Sequence, residues 1–189
     1  MSKSTGLSFE TRDPVAVLTK NLEGRVTLFK DSVNHMSNSL SKTSNHVIAI
    51  STLYECNKIL LKGLGYKIDE LSELDFEKDD FINICDKVGK VWQIITTTLP
   101  GWDDVESLKS KPNDVRESYI HAHGVGWQGV ANAVSAIISE KGPSAWQAIF
   151  ENAVKQIDWN KSNSHWQGIS MIGDRMNNTS QFIRSTAGY

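Results

Sequence analysis

The chain has 189 residues, with 20 Lys and Arg against 22 Asp and Glu and a formal net charge of −2 at pH 7. A chain of this length suits one domain and can bury a core without disulfide or metal staples. Because the two signs of charge nearly balance, the chain has no global basic field to hold nucleic acid. DNA binding would therefore require a local patch or a partner.

Cysteine usage and polarity indicate the compartment. Cys56 and Cys85 fall within helical apolar patterns, which is typical of small buried hydrophobic residues in a reducing environment. The sequence contains no CxxC motif and no Cys/His spacing typical of a metal site, so neither a metal nor a cofactor is predicted. The opening is polar, and no apolar run approaches the roughly 20 residues of a membrane span. These features predict a soluble cytoplasmic protein without membrane contact.

The predicted elements begin with an extended segment over residues 1–12, rich in Ser, Thr and Gly. A helical domain over residues 13–189 follows, in which Asp13 caps the first helix and Pro14 takes its first position. Residues 25–36 alternate weakly in polarity and fit either one short strand or a turn of helix.

Later helices follow the apolar periodicity and the breaks made by Gly and Pro. The fold class predicted is all-α: a single compact domain of six to eight helices with at most one short strand or hairpin. The predicted boundaries are Thr43 or Ser44 to Gly63, Phe76 or Asp79 to Pro100, Trp102 to Ser110, Asp114 to Lys141 with an interruption near Gly124, Ser144 to Ile157, and a last helix capped by Thr179 or Ser180.

The first polar cluster surrounds two histidines. His121 and His123 are two residues apart, so they converge on one metal only if the helix breaks at Gly124, and no third ligand has zinc-site spacing. The plainer interpretation is a backbone or Trp contact for each histidine. Gly124 and Gly126 predict the close approach of another backbone or a bulky ring. They do not predict a phosphate loop, because no strand precedes them.

The second cluster, residues 157–168, is predicted to be an anchored loop. Asp158 and Asn160 can make side-chain turns, and Trp159 and Trp166 can hold the loop against the body of the domain. Such a loop suits a recognition surface, and it equally suits a plain helical connection.

The third cluster, residues 173–180, places several donors before the last predicted helix. Arg175 and Asn177 would favour a phosphate at that helix N-terminus, although a plain N-cap with a solvated arginine explains the same pattern. Arg12, beside Asp13, could also reach a carboxylate or phosphate.

The order of these clusters resembles the DndB family, the B component of the bacterial DNA phosphorothioation (DNA sulfur modification) system. Three segments carry the resemblance: Tyr119-Ile-His-Ala-His-Gly-Val after Arg116, Ile157-Asp-Trp-Asn-Lys-Ser-Asn-Ser-His-Trp-Gln-Gly, and Met171-Ile-Gly-Asp-Arg-Met. The family's Asp-Gly-Gln-His-Arg motif is absent here. The helical domain is therefore expected to correspond to the C-terminal part of the family, and activities of the other part are not carried over.

The resemblance implies a regulatory or accessory protein that binds DNA and other proteins of the sulfur modification system. The alternative is a helical protein-interaction module of a phage-defence or modification system without intrinsic DNA binding. An enzyme of nucleotide or phosphodiester chemistry that uses His121, His123 and Arg175 ranks behind both. The candidate residues for binding nucleic acid or another anion are Arg12, Arg116, His121, His123, Asn160, Lys161, Arg175 and Asn177.

Overall fold

The structure is a computed structural model that describes residues 13–177, 179 and 183. Helices dominate these residues and two very short sheets accompany them, which confirms the all-α class. The predicted extended segment 1–12, with Arg12, lies outside the described residues. The helices are α1 Pro14–Leu22, α2 Ile50–Gly63, α3 Ile68–Leu71, α4 Asp79–Thr98, α5 Trp102–Glu106, α6 Pro112–Ser118, α7 Gly124–Lys141 and α8 Trp146–Gln156.

Four two-residue strands form two separate pairs in the described part of the chain. Strand β1 (Val33–Asn34) pairs in parallel with β2 (Ile48–Ala49), and β3 (Met171–Ile172) pairs with β4 (Arg175–Met176) as an antiparallel hairpin. At most one strand or hairpin was predicted. Elements of two residues are too short to produce an alternating pattern, so the sequence could not reveal them.

The start of α1 is confirmed in detail. Asp13 Oδ1 accepts hydrogen bonds from the backbone N–H of Val15 at 2.9 Å and of Ala16 at 3.1 Å, and Pro14 occupies the first helical position. The other carboxylate oxygen of Asp13 accepts from the Tyr54 hydroxyl at 2.9 Å. This one side chain therefore caps α1 and joins it to α2.

Three predicted helix starts were wrong. Helix α2 begins at Ile50 instead of after Thr43 or Ser44, because the chain first forms β2. Helix α6 begins at Pro112, two residues before Asp114.

The Asp114 carboxylate instead accepts from the backbone N–H of Lys111 at 3.0 Å, which places it in the first turn of α6. Helix α8 begins at Trp146 with Ala145 at its N-cap, so Ser144 does not cap it. The last predicted helix lies mostly outside the described residues.

Helices α2 and α7 lie side by side and run parallel. The Ser135 hydroxyl donates to the Ile59 carbonyl at 2.9 Å, and four residues further along both helices the Ser139 hydroxyl donates to the Gly63 carbonyl at 3.3 Å. A Cβ atom on Gly63 would lie 2.5 Å from the Ser135 hydroxyl oxygen, so a side chain there would not fit. Because the two helices run in the same direction, their N-termini lie at the same end of the domain.

Tryptophans from both halves of the chain meet in the core. Trp127 of α7 stacks on Trp102 with ring centroids 5.4 Å apart and meets the edge of Trp92 at 5.8 Å. Trp92 packs in turn against Phe29 at 5.2 Å. The aromatic anchors therefore join the helices of the first half to α7 in one core.

Candidate functional site

A cleft of about 350 Å³ lies at the end of the domain where α2 and α7 begin. One wall is the first turns of α2, with Ser51 and Thr52, and the other is the start of α7, with Gly124 and Gln128. The loop between β1 and β2 forms the rim through residues 38–40, and Arg116 of α6 also lines the cleft.

Neither of the two N-cap residues at the cleft supplies a side-chain cap to its helix. The N-cap residues are Ala49 for α2 and His123 for α7, and neither side chain accepts a hydrogen bond from its helix. The first N–H groups of a helix have no partner within the helix, and the helix dipole adds about half a positive charge at that end. Two parallel helices that start at one cleft therefore favour an anion between them.

Arg116 brings a buried positive charge to the cleft. The residue is only 5% exposed, and its terminal nitrogens donate to two carbonyls of the loop before β2, that of His46 at 3.0 Å and that of Ser44. Its Nε has no hydrogen-bond partner, and among the described residues no carboxylate lies within ion-pair distance of the guanidinium. Burial lowers the pKa of Arg116 but leaves it a cation.

His123 links Arg116 to the start of α7. Its Nε2 lies 2.8 Å from the Arg116 carbonyl oxygen, so the neutral ring donates to that carbonyl. Burial, followed by the positive charge of Lys161, lowers the pKa of His123 to about 4. The imidazole is therefore neutral at pH 7, and it positions the α7 N-cap instead of adding charge.

Two lysines complete the basic surroundings. Burial and the neighbouring charge of Lys42 lower the pKa of Lys161, while Glu117 acts in the opposite sense. Lys161 was a candidate from the sequence, whereas Lys42 was not. The sequence feature that could have indicated Lys42 is the absence of Asp and Glu over residues 32–54. This stretch is rich in Ser, Asn and Thr and includes the rim of the cleft.

Acidic groups are few at the cleft. Glu55 lines it one turn further along α2, where its carboxylate is ion-paired with Lys58 at 3.2 Å.

His121 is placed in the core and does not line the cleft. Its ring is fully buried, stacks on Tyr119 at 5.3 Å and meets the edges of Trp159 at 5.5 Å and Trp102 at 5.8 Å. No described residue reaches either ring nitrogen with a hydrogen bond, although the Pro100 carbonyl is close enough to oppose the shift that burial causes. Burial lowers the pKa of His121 to about 3, so the ring is neutral.

The close approach predicted near the histidines is found at Gly126. A Cβ atom there would lie 2.3 Å from the Ile120 carbonyl oxygen and 2.5 Å from the His121 Cα. The backbone that precedes α7 therefore crosses directly over its first turn, which fixes the position of His123 at the cleft.

The anchored loop over residues 157–168 has the predicted side-chain turns. Asp158 Oδ1 accepts from the Asn160 N–H at 3.0 Å, and Asn160 Oδ1 accepts from the Ser162 N–H at 2.9 Å. Trp159 and Trp166 are both buried, and the Trp159 ring meets the His121 ring of the core at 5.5 Å, which confirms the predicted anchoring.

Backbone pairing attaches this loop to the α6–α7 connection. Asn160 forms a bridge with Tyr119, and the Lys161 N–H donates to the Ser118 carbonyl at 2.9 Å. This pairing brings Lys161 near the cleft, while the Asn160 side chain is used within the loop.

The third cluster lies in the C-terminal hairpin. Arg175 is exposed in β4, and the Asn177 N–H donates to the Ser170 carbonyl at 2.9 Å. The Asn177 side-chain oxygen accepts from the Thr179 N–H at 3.0 Å, as a local turn does. Neither Arg175 nor Asn177 lines the cleft. The structure thus brings Arg116, His123 and Lys161 together and leaves the other candidates elsewhere or outside the described residues.

The described part of the chain holds neither a candidate metal site nor a candidate membrane span. Over residues 13–177, 179 and 183, no group of three His, Cys, Asp or Glu side chains is arranged to hold a metal ion. No helix in the same part of the chain is long and apolar enough to cross a membrane.

The fold defines the class: a small all-α protein in which two parallel helices begin at one basic cleft. The family model of DndB, described as DNA-sulfur modification-associated, matches residues 1–189, so the chain belongs to the DndB family. This confirms the resemblance, and the match extends over the whole chain. Comparison with curated proteins and with solved structures gave no match.

Proposed function

We propose that this chain is an accessory or regulatory DNA-binding protein of DNA sulfur modification, and that it holds DNA phosphates at the cleft and its rim. The observation that carries the proposal is the meeting of two parallel helix N-termini with the buried Arg116, which forms no ion pair with any described carboxylate. Family membership supports the pathway, and the arrangement of charge supports an anionic ligand.

The distribution of charge explains how a chain of net charge −2 could bind DNA. Seven acidic residues lie within residues 69–80, which comprise α3, the start of α4 and the connection between them. Helix α3 follows within a few residues of the C-terminal end of α2, and α2 spans about 20 Å from the cleft to that end. A contact of 3.1 Å between Lys87 and the Tyr66 hydroxyl holds α4 beside the same end. This separation of negative charge at one end from positive charge at the cleft would orient the domain with its cleft toward DNA.

The rim of the cleft supplies the remaining contacts. Lys42 is exposed on the acid-free loop, and Lys161 is half-buried beside it. Phosphate contacts of this kind give affinity without sequence preference. The loop also carries hydroxyl and amide groups, which can donate to phosphate oxygens.

The second candidate function is a protein-interaction module of the same system. Two large apolar side chains favour it, since Met36 and Leu108 are 92% and 91% exposed. Methionine is enriched in protein interfaces, and an exposed apolar side chain is stabilised when a partner removes it from water. On this alternative, the chain would bind another protein of the modification system and no DNA.

Fluorescence anisotropy with a labelled duplex over a range of salt concentrations tests the proposal. The variants Lys42→Ala and Lys161→Ala should each weaken binding and lower the magnitude of the salt slope by about 1. Lys90→Ala is the matched control, because Lys90 is exposed on α4 and does not line the cleft. Absence of binding at low salt would leave the protein-interaction module as the better hypothesis. An equal effect of Lys90→Ala would contradict the assignment to the cleft.

A further inference from the structure

We propose that Met36 is a wedge that inserts between two stacked base pairs of duplex DNA while the cleft and its rim contact the phosphates. This inference rests on the proposed function and deepens it, because it names the residue that would make the chain prefer deformable DNA. It concerns a single side chain of the loop between β1 and β2, just outside the lining of the cleft.

Met36 projects from a turn that is held by hydrogen bonds. The residue is 92% exposed, whereas Asn34, two residues earlier in β1, is buried. The Asn34 side-chain oxygen accepts from the Met36 N–H at 2.8 Å, and the Asn34 side-chain nitrogen donates to the Ser37 hydroxyl at 3.0 Å. The Ser37 hydroxyl donates in turn to the Ser39 carbonyl at 2.6 Å. A large apolar side chain is therefore presented to solvent on a well-supported turn.

The same turn is joined to the lining of the cleft on both sides of Met36. Asn34 pairs with Ala49, the N-cap residue of α2 and part of the lining. Asn38 also lines the cleft, and its carbonyl accepts from the Ser51 hydroxyl at 3.4 Å. Two residues of chain span at most about 7 Å, and base pairs of B-DNA follow one another every 3.4 Å or so. Met36 would therefore meet a base step about two pairs from a phosphate at the cleft.

The polar surroundings of Met36 favour a nucleic acid over a protein partner at this position. Residues 32–54 contain no Asp or Glu, and they supply the exposed Lys42 together with hydroxyl and amide donors. A carboxylate of α1's C-cap residue, Glu23, reaches the turn, where it contacts His35 Nε2 at 3.0 Å. Anchors of protein interfaces cluster with other anchors, whereas the four residues that flank Met36 are Asn, His, Ser and Asn.

A methionine side chain suits insertion between bases. Proteins that bend DNA insert apolar side chains, methionine among them, between base steps and partly unstack them. The thioether chain is unbranched and polarisable, so it fits a narrow and irregular gap. Unstacking costs least at flexible steps and at mismatched bases. Met36 would therefore favour deformable DNA, while Lys42 and Lys161 give affinity without sequence preference.

Fluorescence of two short duplexes titrated with the full chain tests the proposal. One duplex is fully paired and the other carries a single mismatch, which fixes the position of the wedge. Both contain 2-aminopurine beside the variable pair, a base that becomes brighter when it is unstacked, and a terminal dye whose anisotropy reports binding. The chain should bind the mismatched duplex about 10-fold more tightly and raise its 2-aminopurine emission.

Met36→Ala is the decisive variant, because it removes the wedge from a side chain so exposed that the fold does not depend on it. It should bind both duplexes with equal affinity and leave the 2-aminopurine emission unchanged. Met36→Leu keeps an apolar side chain of similar volume and should retain both effects. Leu108→Ala serves as the control, since Leu108 is 91% exposed and does not line the cleft, and it should behave as the parent chain.

The outcomes separate this proposal from the proposed function. Equal binding of both duplexes by the parent chain, without a rise in 2-aminopurine emission, overturns the wedge and leaves DNA binding standing. A mismatch preference that survives Met36→Ala, or that Leu108→Ala abolishes to the same extent, also overturns the assignment to Met36. Absence of binding to either duplex at low salt overturns both proposals and leaves Met36 to the protein-interaction alternative.

Discussion

Gly126 is the position where one methyl group should disturb both the fold and the cleft. A Cβ atom there would lie 2.3 Å from the Ile120 carbonyl oxygen and 2.5 Å from the His121 Cα, far inside van der Waals contact. Both neighbours are backbone, so the clash cannot be relieved by a side-chain rotation. In Gly126→Ala, the turn that precedes α7 must therefore move away from the helix by about 1 Å, a shift that interior packing resists.

The expected cost follows from this geometry. Overpacking of this kind costs about 1 to 3 kcal/mol, and backbone displacement puts Gly126→Ala in the upper part of that range, less a gain of up to about 1 kcal/mol in helix propensity. A net loss of about 2 kcal/mol would lower the melting temperature of a chain this long by roughly 4 to 8 °C. Urea unfolding followed by circular dichroism measures the free energy directly.

Gly89→Ala is the matched control for Gly126→Ala. Gly89 lies inside α4, and a Cβ atom there would lie 3.4 Å from the Arg25 Cβ, which is ordinary contact. That variant should be neutral or more stable by up to about 1 kcal/mol. If the free energy of unfolding of Gly126→Ala lies within about 0.5 kcal/mol of that of the parent chain, the turn before α7 does not cross the helix as closely as described.

Three further predictions concern polar side chains that hold the fold together. Burial lowers the pKa of His121 to about 3, so between pH 6.5 and 3 the unfolded chain binds a proton that the folded chain does not. The free energy of unfolding should therefore decrease as the pH is lowered through this window, and His121→Phe should make that decrease smaller in urea titrations. Asn57 accepts from the Trp92 indole at 2.7 Å and donates to Thr19 at 2.9 Å, so Asn57→Leu should cost about 2 kcal/mol or more, and an unchanged urea midpoint would contradict this network. Asp13→Ala should cost about 1 to 2 kcal/mol in thermal unfolding, whereas Asp13→Asn should retain most of the cap; equal losses would show that the charge matters more than the cap.

Helix starts with a local signal were predictable, and starts that depend on distant partners were not. Asp13 and Pro14 act within one turn, so their pattern was sufficient to place α1. Ser44 has the residue type of a cap, but the pairing of β2 with β1 delays the start of α2 to Ile50. Ser144 likewise gives way to a later start of α8, because polar residue type alone does not specify which residue becomes the cap.

The candidate site was predictable in its residues but not in its geometry. Arg116, His123 and Lys161 stood out by chemical type and by order along the chain. The parallel packing of α2 and α7 depends on the contact of Gly63 with Ser135, which joins residues far apart in sequence. His121 stood out for the same reason as His123, but a two-residue shift along the chain places it in the aromatic core instead.

Nitrogen-edited NMR of the assigned chain during titration with a short DNA duplex tests the central claim most directly. The cleft predicts that the largest shifts will occur at the backbone amides of Ser51, Thr52 and Gly124. Ala148, at the start of α8, should not shift. No shift at the starts of α2 and α7, or larger shifts around Arg175 in the C-terminal hairpin, would contradict the claim that this cleft is the anion site.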